Sequence, residues 1–440
     1  MSSTETARPP GFPERTEVAV IGAGIAGCAT AWFLAKAGVP VVVLEKGRVA
    51  GEQSSRNWGW VRKQGRDPRE LPAIVESLKI WPTLEAEIEA DIGWKRAGVT
   101  YVATNEAQMA RFEEWLGFAR PYQLDSRMLS PGETDEMLGA SGERYLGALH
   151  TPSDGRAEPA KAVPALARAI ERLGGRIVEG CAVRALDVEA GRVTGVVTEH
   201  GRIACASVLC AAGAWSSLFN RNLGITLPQL RVRSSVMRTK PAPLVCESAV
   251  WCGDVAFRRR QDGGYTLAGH GGSSFEIVPD AVRFFRPFFK ALRMSRKDLR
   301  IRLSGEFLRQ LRTPKRWGPD EITPFERIRV LDPAPDAAAL DRVLKAARAA
   351  LPGLAGLEMA ESWAGMIDVT PDIVPVLSAV EALPGYYIAT GFSGHGFGLG
   401  PGAGLLMSEL IAKGEARIDL SEFRLSRFSD GSAMTPYAPI

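Results

Sequence analysis

The stretch that decides the fold is EVAVIGAGIAGCATAWFLAKAGVPVVVLEK, residues 17–46. Its apolar residues 18–21 predict a short, buried strand of a parallel sheet. The pattern Gly22-x-Gly24-x-x-Gly27 follows that strand directly. In such a pattern the first glycine allows a tight turn, the second lets a pyrophosphate approach the backbone, and the third lets helix and strand pack closely. The stretch therefore predicts a dinucleotide-binding turn.

A helix and a second strand complete this unit. The predicted helix begins at Ile25 and Ala26, where free amide groups and the positive end of the helix dipole favour a phosphate. Residues 41–44 form the second buried strand, and Glu45 closes it. An acid about 20 residues beyond the glycines binds ribose hydroxyls. It would also repel a 2′-phosphate, so the pattern favours FAD or NAD over NADP.

A polar loop, GEQSSRNWGWVRKQGRDP at 51–68, follows where an NAD enzyme would normally continue with another helix and strand. The loop is predicted to be too irregular for a helix. Its Ser54, Ser55 and Asn57 can reach phosphates or ring oxygens, and Gly59 permits close approach to a flat ring. The loop favours a large cofactor that must be wrapped. An ordinary surface loop is the alternative, which the core-type tryptophans of the loop disfavour.

Residues 174–215 read as short alternating segments that are separated by glycine turns. These segments predict a β-meander that ends in a buried strand at 207–211. That strand runs into AAGAW at 211–215, a further tight turn at a strand end. A first βαβ unit that is interrupted and resumed much later is typical of flavoproteins with a divided dinucleotide fold.

A second glycine-rich stretch, TGFSGHGFGLGPGAG at 390–404, lies near the end of the chain. A predicted strand at 386–390 precedes it, and a predicted apolar helix at 403–412 follows it. The N-terminus of that helix could face an anion, such as the charged pyrimidine end of a reduced flavin. Together with the polar loop, this unit favours FAD over NAD, and we expect His395 within it to shape or polarise the flavin environment.

Composition limits the other classes of function. The chain has 440 residues, a formal net charge of +4, 45% hydrophobic and 24% charged residues, which is ordinary for a globular enzyme and indicates no nucleic-acid partner. Its six cysteines lack metal-ligand spacing, so no metal site is predicted, and they are interpreted as buried thiols of a cytoplasmic protein. No apolar run reaches the ~18 residues of a membrane span.

The predicted architecture is α/β, with a Rossmann-like FAD-binding domain interwoven with a substrate domain built on an antiparallel sheet. Residues 1–15 are polar and are predicted to be a disordered lead-in. The FAD-binding domain would comprise residues 16–225 and 373–440, and part of 60–150 could join the substrate domain. The substrate domain would comprise residues 226–372.

Within the substrate domain, strands are predicted at 231–238, 255–260 and 265–268. Residues 281–317 form a strongly basic insert in which aromatic and aliphatic side chains alternate with arginines and lysines. The pattern favours helices that pack by their aromatic faces and keep their cations in water. A peripheral contact with the inner face of a membrane, or a partner site, is the alternative.

The order of these motifs resembles the D-amino-acid-oxidase superfamily of FAD-dependent amine oxidoreductases, which includes glycine oxidase, sarcosine oxidase and amino-acid dehydrogenases. The resemblance covers about residues 17–428. The chain is also similar to bacterial FAD-dependent L-amino-acid deaminases in AGEQSSR (50–56), FRRRQDGGY (257–265), TPFERIRVLDPAPDAAALDRVLKAA (323–347), ESWAGMIDVTPDIVPVLS (361–378) and FRLSRF (423–428).

The resemblance implies oxidation of an amino acid or amine to an imine by hydride transfer to flavin N5, followed by hydrolysis. The small-molecule amine would be the substrate, and oxygen or a quinone would be the electron acceptor. No cysteine follows Cys252, so a C-terminal cysteinyl link is absent and non-covalent FAD is expected. The alternative is an FAD-bearing subunit of a multi-protein dehydrogenase, such as an opine oxidase, that needs its partner for activity.

The chain departs from these relatives at the positions that hold a substrate carboxylate. His270 stands where an arginine is expected, Trp60 where a glutamine is expected, and Met366 with Ile367 near the place of a further arginine. The resemblance thus leaves the carboxylate without its usual anchors, although Arg56 and Arg62 could bind an anion. The candidates around the reacting ring are Trp60, His270, Trp363, Met366 and His395.

The predicted cofactor contacts come from all four motifs. They are Gly22, Gly24, Ile25, Ala26, Gly27, Glu45, Lys46, Ser54, Ser55, Asn57, Trp58, Gly59, Val183, Ala212, Gly213, Trp215, Gly391, Gly394, His395, Gly396, Phe397 and Gly398.

Overall fold

The computed structural model describes residues 11–140, 145–269, 272–295 and 299–437, so the candidate His270 lies outside the described residues. Residues 11–15 of the predicted lead-in are ordered, contrary to the expectation. Phe12 is buried and its ring meets that of His200 edge to face, and Arg15 forms a β-bridge with Ala204. Burial of the Phe12 ring offsets the entropy cost of ordering this segment.

The strands follow one another along the chain with these bounds. They are β1 (Val18–Ile21), β2 (Val41–Leu44), β3 (Trp60–Val61), β4 (Val99–Ala103), β5 (Arg127–Leu129), β6 (Gly147–Thr151), β7 (Gly155–Arg156), β8 (Arg176–Val178), β9 (Val183–Glu189), β10 (Arg192–Thr198), β11 (Gly201–Ala204), β12 (Ser207–Cys210), β13 (Leu230–Thr239), β14 (Ala249–Cys252), β15 (Val255–Arg259), β16 (Tyr265–Gly269), β17 (Ser273–Glu276), β18 (Leu299–Arg302), β19 (Met359–Val369), β20 (Val376–Ala379) and β21 (Tyr386–Thr390).

The α-helices lie between these strands. They are α1 (Ile25–Lys36), α2 (Gln53–Arg56), α3 (Leu71–Glu87), α4 (Glu106–Ala119), α5 (Pro131–Leu138), α6 (Pro159–Arg172), α7 (Ser216–Asn222), α8 (Pro279–Arg283), α9 (Phe285–Met294), α10 (Glu306–Arg312), α11 (Pro324–Arg327), α12 (Ala337–Ala350) and α13 (Gly396–Lys413).

One six-stranded sheet, in the order β20-β21-β12-β1-β2-β8, is parallel except for its edge strand β20. Ile21 of β1 pairs with Cys210 of β12, which pairs with Ile388 of β21. The carboxyl ends of these three strands therefore meet, and each leads into one of the glycine turns. Sequence positions far apart are brought to one edge of the sheet, where α/β folds bind ligands.

The strand β8 was predicted to belong to the β-meander but lies in this parallel sheet instead. It pairs with β2, with Ile177 beside Val43, after the helix α6 has crossed the sheet. A parallel neighbour requires such a helical crossover, which α6 supplies. The meander itself consists of β9, β10 and β11.

A larger sheet carries the order β18-β17-β13-β16-β15-β14-β4-β6-β5, and β19 pairs along most of β13. The strands β4, β5 and β6 lie within residues 99–151, so most of the strand-forming part of the chain between 60 and 150 contributes to the second sheet. The hairpin of β15 and β16 turns at Asp262, whose Oδ1 accepts a hydrogen bond from the amide of Gly264 (3.0 Å). This sheet faces the carboxyl ends of β1 and β21 across a cleft.

The helix α13 begins at Gly396, well before the predicted start at 403, so the second glycine run is mostly helical. Its glycines lie against neighbouring backbones. A Cβ at Gly402 would lie 2.6 Å from the carbonyl oxygen of Ala73, and one at Gly404 would lie 2.6 Å from the carbonyl carbon of Ala29. Close packing against α1 and α3 therefore outweighs the poor helix propensity of glycine.

The polar loop at 51–68 also contains a short helix, α2, that was not predicted. Its last residue, Arg56, is buried and donates hydrogen bonds to the carbonyl oxygens of Gly51 (2.9 Å) and Ala364 (3.0 Å). This buried cation orders one helical turn in a polar sequence and ties the loop to β19.

The basic insert at 281–317 contains α9, β18, α10 and most of α8, rather than only a pair of helices. The strand β18 pairs with β17 and extends the large sheet. Phe284 and Phe288 pack in a small apolar cluster, whereas Phe285 and Phe289 are 52% and 51% exposed. Only half of the aromatic residues in this part of the insert are therefore buried.

The tight packing of α13 predicts a cost for adding one methyl group. Gly404→Ala should lower the free energy of unfolding by about 1–3 kcal/mol, because its Cβ meets backbone atoms of α1 that have no room to move. Gly117→Ala is the matched control, because this helical glycine of α4 has open space around it. Gly117→Ala should leave the free energy of unfolding unchanged or raise it by roughly 0.5–1 kcal/mol. Denaturant unfolding of both variants measures the difference, and equal stabilities would contradict the prediction.

Candidate functional site

A cleft with an empty volume of about 1190 Å³ lies between the two sheets, at the carboxyl ends of β1, β12 and β21. Most of the motifs singled out above meet there. The predicted residues that line it are Gly22, Gly24, Ile25, Ala26, Glu45, Lys46, Ser54, Asn57, Val183, Ala212, Gly213, Trp215, Met366, Gly394, Gly396 and Phe397.

Other predicted residues lie outside the lining of the cleft. They are Gly27, Ser55, Trp58, Gly59, Trp60, Trp363, Gly391, His395 and Gly398. Two of them, Gly398 and Trp363, contact the loop 51–68 instead. A Cβ at Gly398 would lie 3.2 Å from the Cα of Val61, and the indole of Trp363 donates to the carbonyl oxygen of Arg56 (3.0 Å). Their placement suits close packing of the loop 51–68.

The first glycine turn has the geometry that a phosphate site needs. Gly22 has a φ of 104°, and a Cβ there would lie 2.6 Å from the carbonyl oxygen of Ala211. The amide of Ile25, at the start of α1, donates to Oγ of Ser54 (2.9 Å). The first amides of a helix have no intrahelical partner, so this end of α1 can also donate to phosphate oxygens.

Glu45, the acid predicted to bind a ribose, is held in place by two backbone amides. Its Oε2 accepts a hydrogen bond from the amide of Ala23 (2.9 Å), and its Oε1 accepts one from the amide of Gly47 (2.8 Å). Burial raises the pKa of Glu45. The two amides fix the carboxylate at the end of β2, at the edge of the cleft.

Glu52 was not singled out from the sequence, although it lies within the AGEQSSR segment. It accepts hydrogen bonds from Nζ of Lys46 (2.6 Å), from Nε1 of Trp215 (3.0 Å) and from the amide of Leu331 (2.9 Å). The Trp215 ring also lies 4.7 Å from Nζ of Lys46. Hydrogen bonds to Glu52 thus link Lys46 and Trp215 to each other and to the segment after α11.

Asp368 is a second residue that sequence reasoning missed. It is buried, lines the cleft, and its Oδ2 accepts from the amide of Gly391 (2.6 Å), Oγ1 of Thr390 (3.1 Å) and Nε2 of Gln229 (3.3 Å). Burial raises the pKa of Asp368. The carboxylate joins β19 of the large sheet to the turn after β21, which holds both sides of the cleft together. Its role depends on partners more than twenty residues away, which no local pattern indicates.

His395 is the N-cap of α13, and its Nδ1 lies 3.0 Å from Oε2 of Glu70. Burial and the charge of Arg66 lower the pKa of His395, so its imidazole is neutral near pH 7. Burial would raise the pKa of Glu70, but His395 and Arg66 hold it below its usual value. The carboxylate therefore accepts from Nδ1–H and fixes the tautomer of the ring.

An aromatic group lies under the loop that carries Trp58 and Trp60. The ring centroids of these two residues are 5.8 Å apart, and Trp251 and Tyr101 extend the group. Arg258 is buried and donates to the carbonyl oxygen of Trp58, and it forms a bidentate pair with Glu158 (2.9 and 3.0 Å). This pair joins the large sheet to the cofactor side of the molecule.

The residues of the cleft fit FAD. Glu45 suits a ribose, and Ser54 with the first amides of α1 suits a pyrophosphate. Gln53 also lines the cleft, and its buried Oε1 has no hydrogen-bond partner in the described part of the chain. At the far end, the N-terminus of α13 at Gly396 would stabilise negative charge on a flavin ring. Within the described ranges, no group of three or more His, Cys, Asp or Glu side chains is placed to hold a metal ion.

Residues 17–410 match the model of a protein family described as DAO, FAD dependent oxidoreductase. The chain belongs to this family. FAD is accordingly its cofactor, and the mixed α/β fold with parallel and antiparallel sheets is the fold of the family. The family resemblance predicted from the motif order is confirmed.

A solved structure of L-amino acid deaminase from Proteus myxofaciens, in complex with anthranilate, is similar throughout. It is 29% identical, covers 96% of both chains and superposes with a TM-score of 0.92. L-amino acid deaminase from Proteus vulgaris is 27% identical, with 97% of this chain and 100% of that chain covered and a TM-score of 0.90. The similarity to amino-acid deaminases that the sequence indicates is therefore also a similarity of fold.

Curated relatives include sarcosine enzymes. Mitochondrial sarcosine dehydrogenase of Mus musculus is 24% identical over 428 residues, which are 95% of this chain and 42% of that protein. The chain thus spans less than half the length of this relative. Sarcosine oxidase subunit beta of Rhodobacter capsulatus is 24% identical over 426 residues and is covered over 90% of its length.

The contact between His395 and Glu70 predicts how His395 acts. His395→Ala should lower the reduction potential of the bound flavin while FAD stays bound, because the Glu70 carboxylate loses the donor that offsets its charge near the N-terminus of α13. Spectral titration against a reference dye measures the potential, and His395→Asn should retain part of it. His200→Ala, far from this helix in the β-meander, is the control. If His395→Ala changes neither the reduction potential of the flavin nor the turnover rate, His395 has no role in the flavin environment.

Proposed function

We propose that this chain oxidises a C–N bond of an amino acid or amine to an imine, which water then hydrolyses. FAD, when bound, supplies the two-electron acceptor for this chemistry. The observation that carries the proposal is that Met366 lines the cofactor cleft from β19 of the large sheet, where it pairs with β13. A substrate held on that sheet would face the cofactor. The similar proteins act, by their names, on amino acids or sarcosine.

The protein has mainly to orient the amine and keep water away, since amine oxidation by a flavin needs no base at a fixed motif position. Trp60, His270, Trp363, Met366 and His395 remain our candidates around the reacting ring. Of the four that the structure describes, Met366 lines the cleft, and the other three lie outside its lining.

The proposed oxidation predicts bleaching of the yellow holoenzyme. Under anaerobic conditions, a substrate from a panel of L- and D-amino acids, N-methyl amino acids, opines and polyamines should remove the flavin absorbance band. Dithionite provides the control, because it should reduce the flavin without a substrate. If dithionite bleaches the flavin and no member of the panel does, the proposed function is wrong. The rate of reoxidation by oxygen and by a soluble quinone then identifies the acceptor.

The second candidate function is that of an FAD-bearing subunit in a multi-protein dehydrogenase. The similarity to sarcosine oxidase subunit beta supports it, because that relative is named as one subunit of a larger enzyme. Gel filtration of a native extract distinguishes the two candidates. Activity that co-elutes with a second chain favours the subunit, and activity of the isolated chain favours the first candidate.

We also propose that the insert at 281–317 contacts an anionic membrane surface and that the protein is otherwise cytoplasmic. Within the described part of the chain, no helix is both long and apolar enough to cross a bilayer. The insert exposes Val282 (68%), Phe285 (52%) and Phe289 (51%) beside basic residues. Exposed aromatic side chains among cations suit the boundary between lipid headgroups and acyl chains.

This surface predicts salt-dependent sedimentation with vesicles that contain phosphatidylglycerol. The chain should pellet at low salt and be released at high salt, because screening weakens attraction to anionic lipid. Replacement of both Phe285→Asp and Phe289→Asp should abolish the effect. Leu173→Asp, at an exposed apolar residue after α6, is the control. Sedimentation that is absent, or that both replacements leave intact, would contradict the membrane contact.

A further inference from the structure

A second cavity, with an empty volume of about 900 Å³, adjoins the cofactor cleft. Ala214, Trp215 and Met366 line both spaces, so the two are neighbours across these three residues. The other walls come from α7, β13, β17 and α10. The cavity therefore lies where a molecule on the large sheet could reach both Met366 and the insert.

Arg231 lies in this cavity with most of its hydrogen-bonding capacity unused. In the β13–β19 ladder it stands opposite Asp368, the carboxylate that lines the cleft. Its Nε donates to the carbonyl oxygen of Ala214 (2.7 Å), and its guanidinium lies 4.5 Å from the centroid of the Trp215 ring. Its two terminal nitrogens make no hydrogen bond to any described residue. Burial lowers the pKa of Arg231, but an arginine stays charged near pH 7.

Glu276 lines the same cavity and also has an unused atom. Its Oε2 is buried and has no hydrogen-bond partner among the described residues, while Oε1 lies 3.7 Å from Nε of Arg302. Arg231 on β13 and Glu276 on β17 line the same cavity, and their strands are paired through Arg233 with Ser274 and Ser234 with Ser273. Two side chains of unlike charge thus line one cavity, and each has a polar atom without a hydrogen bond to a described residue.

The remaining charges of the cavity are engaged by neighbours. Asp280 pairs with Arg221 (3.1 Å). Glu306 pairs with Arg309 (3.1 Å). Lys315 donates to the carbonyl oxygen of Gln310 (2.6 Å). The guanidinium of Arg231 and Oε2 of Glu276 are therefore the groups of this cavity that are best placed to bind a polar ligand.

We propose that the second cavity binds the carboxylate of the substrate through Arg231, and that Oε2 of Glu276 accepts a hydrogen bond from an N–H group of the same molecule. The proposal rests on the proposed function and narrows it to amino acids and N-substituted amino acids. Arginine binds a carboxylate with two parallel hydrogen bonds, which suits its two free nitrogens. Arg231 would thereby replace the arginine and glutamine anchors that this chain lacks at His270 and Trp60.

Binding of simple carboxylates to the holoenzyme tests the site without turnover. Anthranilate and benzoate are titrated, and the flavin difference spectrum gives a Kd for each. Arg231→Ala should raise both Kd values roughly 10- to 100-fold, the loss expected for a hydrogen bond to a charged group. Arg231→Lys should retain part of the affinity. Arg238→Ala is the matched control on the same strand, since Arg238 pairs with Glu361 outside the cavity.

Anthranilate has an amino group that benzoate lacks, so a comparison of the two probes tests the proposed role of Glu276. Glu276→Ala should lower the preference for anthranilate over benzoate, because only anthranilate has an N–H to donate. FAD absorbance and thermal unfolding are recorded for each variant. If Arg231→Ala is the one variant that loses FAD, the Kd values of Arg231→Lys and Glu276→Ala still test the proposed site. Failure of the wild-type holoenzyme to bind either probe would overturn the proposal, as would equal Kd values in wild type, Arg231→Lys and Glu276→Ala.

Turnover gives a second readout that a general disturbance of the fold would not reproduce. For the amino acid that reduces the flavin fastest and for the amine without its carboxylate, Arg231→Ala should raise only the KM of the amino acid. An equal change for both would overturn the carboxylate site while leaving the proposed oxidation intact. If no amine bleaches the flavin but the probe Kd values depend on Arg231, the cavity binds carboxylates and the proposed oxidation fails.

Discussion

The cleft depends on the backbone contact between α1 and α13, the two helices whose N-termini face the cofactor. Side chains at Gly400 or Gly404 would collide with Ile25 or Ala29 of α1, so glycine alone permits this approach. On the other side of α13, Oγ of Ser77 donates to the carbonyl oxygen of Gly398 (2.6 Å) and accepts from the amide of Gly402 (3.0 Å), where Pro401 interrupts the ladder. The spacing of the two positive helix ends is set by this packing, and FAD must span that spacing.

The parts of the fold that were predicted from the sequence are those whose pattern is local. The βαβ unit with Glu45 is one continuous segment, so its strand, turn and helix can be read in order. The start of α13 at Gly396 could not be predicted from the sequence, because glycine has a low helix propensity. The helix forms there because tertiary packing outweighs that propensity. The partners of Glu52 and Asp368 lie far along the chain, and the order of residues 11–15 depends on burial of Phe12 beneath the meander.

Two buried ionic groups hold together parts of the chain that are far apart in sequence. Arg258 holds the carbonyl oxygen of Trp58 and the carboxylate of Glu158, while Arg66, Glu70 and His395 form a second group beneath α13. Burying such charges costs free energy that their mutual attraction only partly offsets, so they are poor sources of stability. Their directional hydrogen bonds instead restrict the tryptophan loop and the first turn of α13 to one arrangement, which an apolar contact would not do. Pre-organisation of this kind is what hydride transfer requires from the surrounding protein.

The shared face of β13 and β19 explains how the residue that binds the substrate carboxylate could stand on another strand without a change at the cofactor site. Cross-strand neighbours lie ~5 Å apart, and diagonal neighbours lie about 7–8 Å apart. Arg231 on β13 stands opposite Asp368 and diagonal to Met366, both of which line the cofactor cleft from β19. None of the residues that form the glycine turns or the α1–α13 contact has to change for this displacement. With the substrate carboxylate on Arg231, as proposed, the face of the large sheet would set the orientation of the substrate while the cofactor side keeps its geometry.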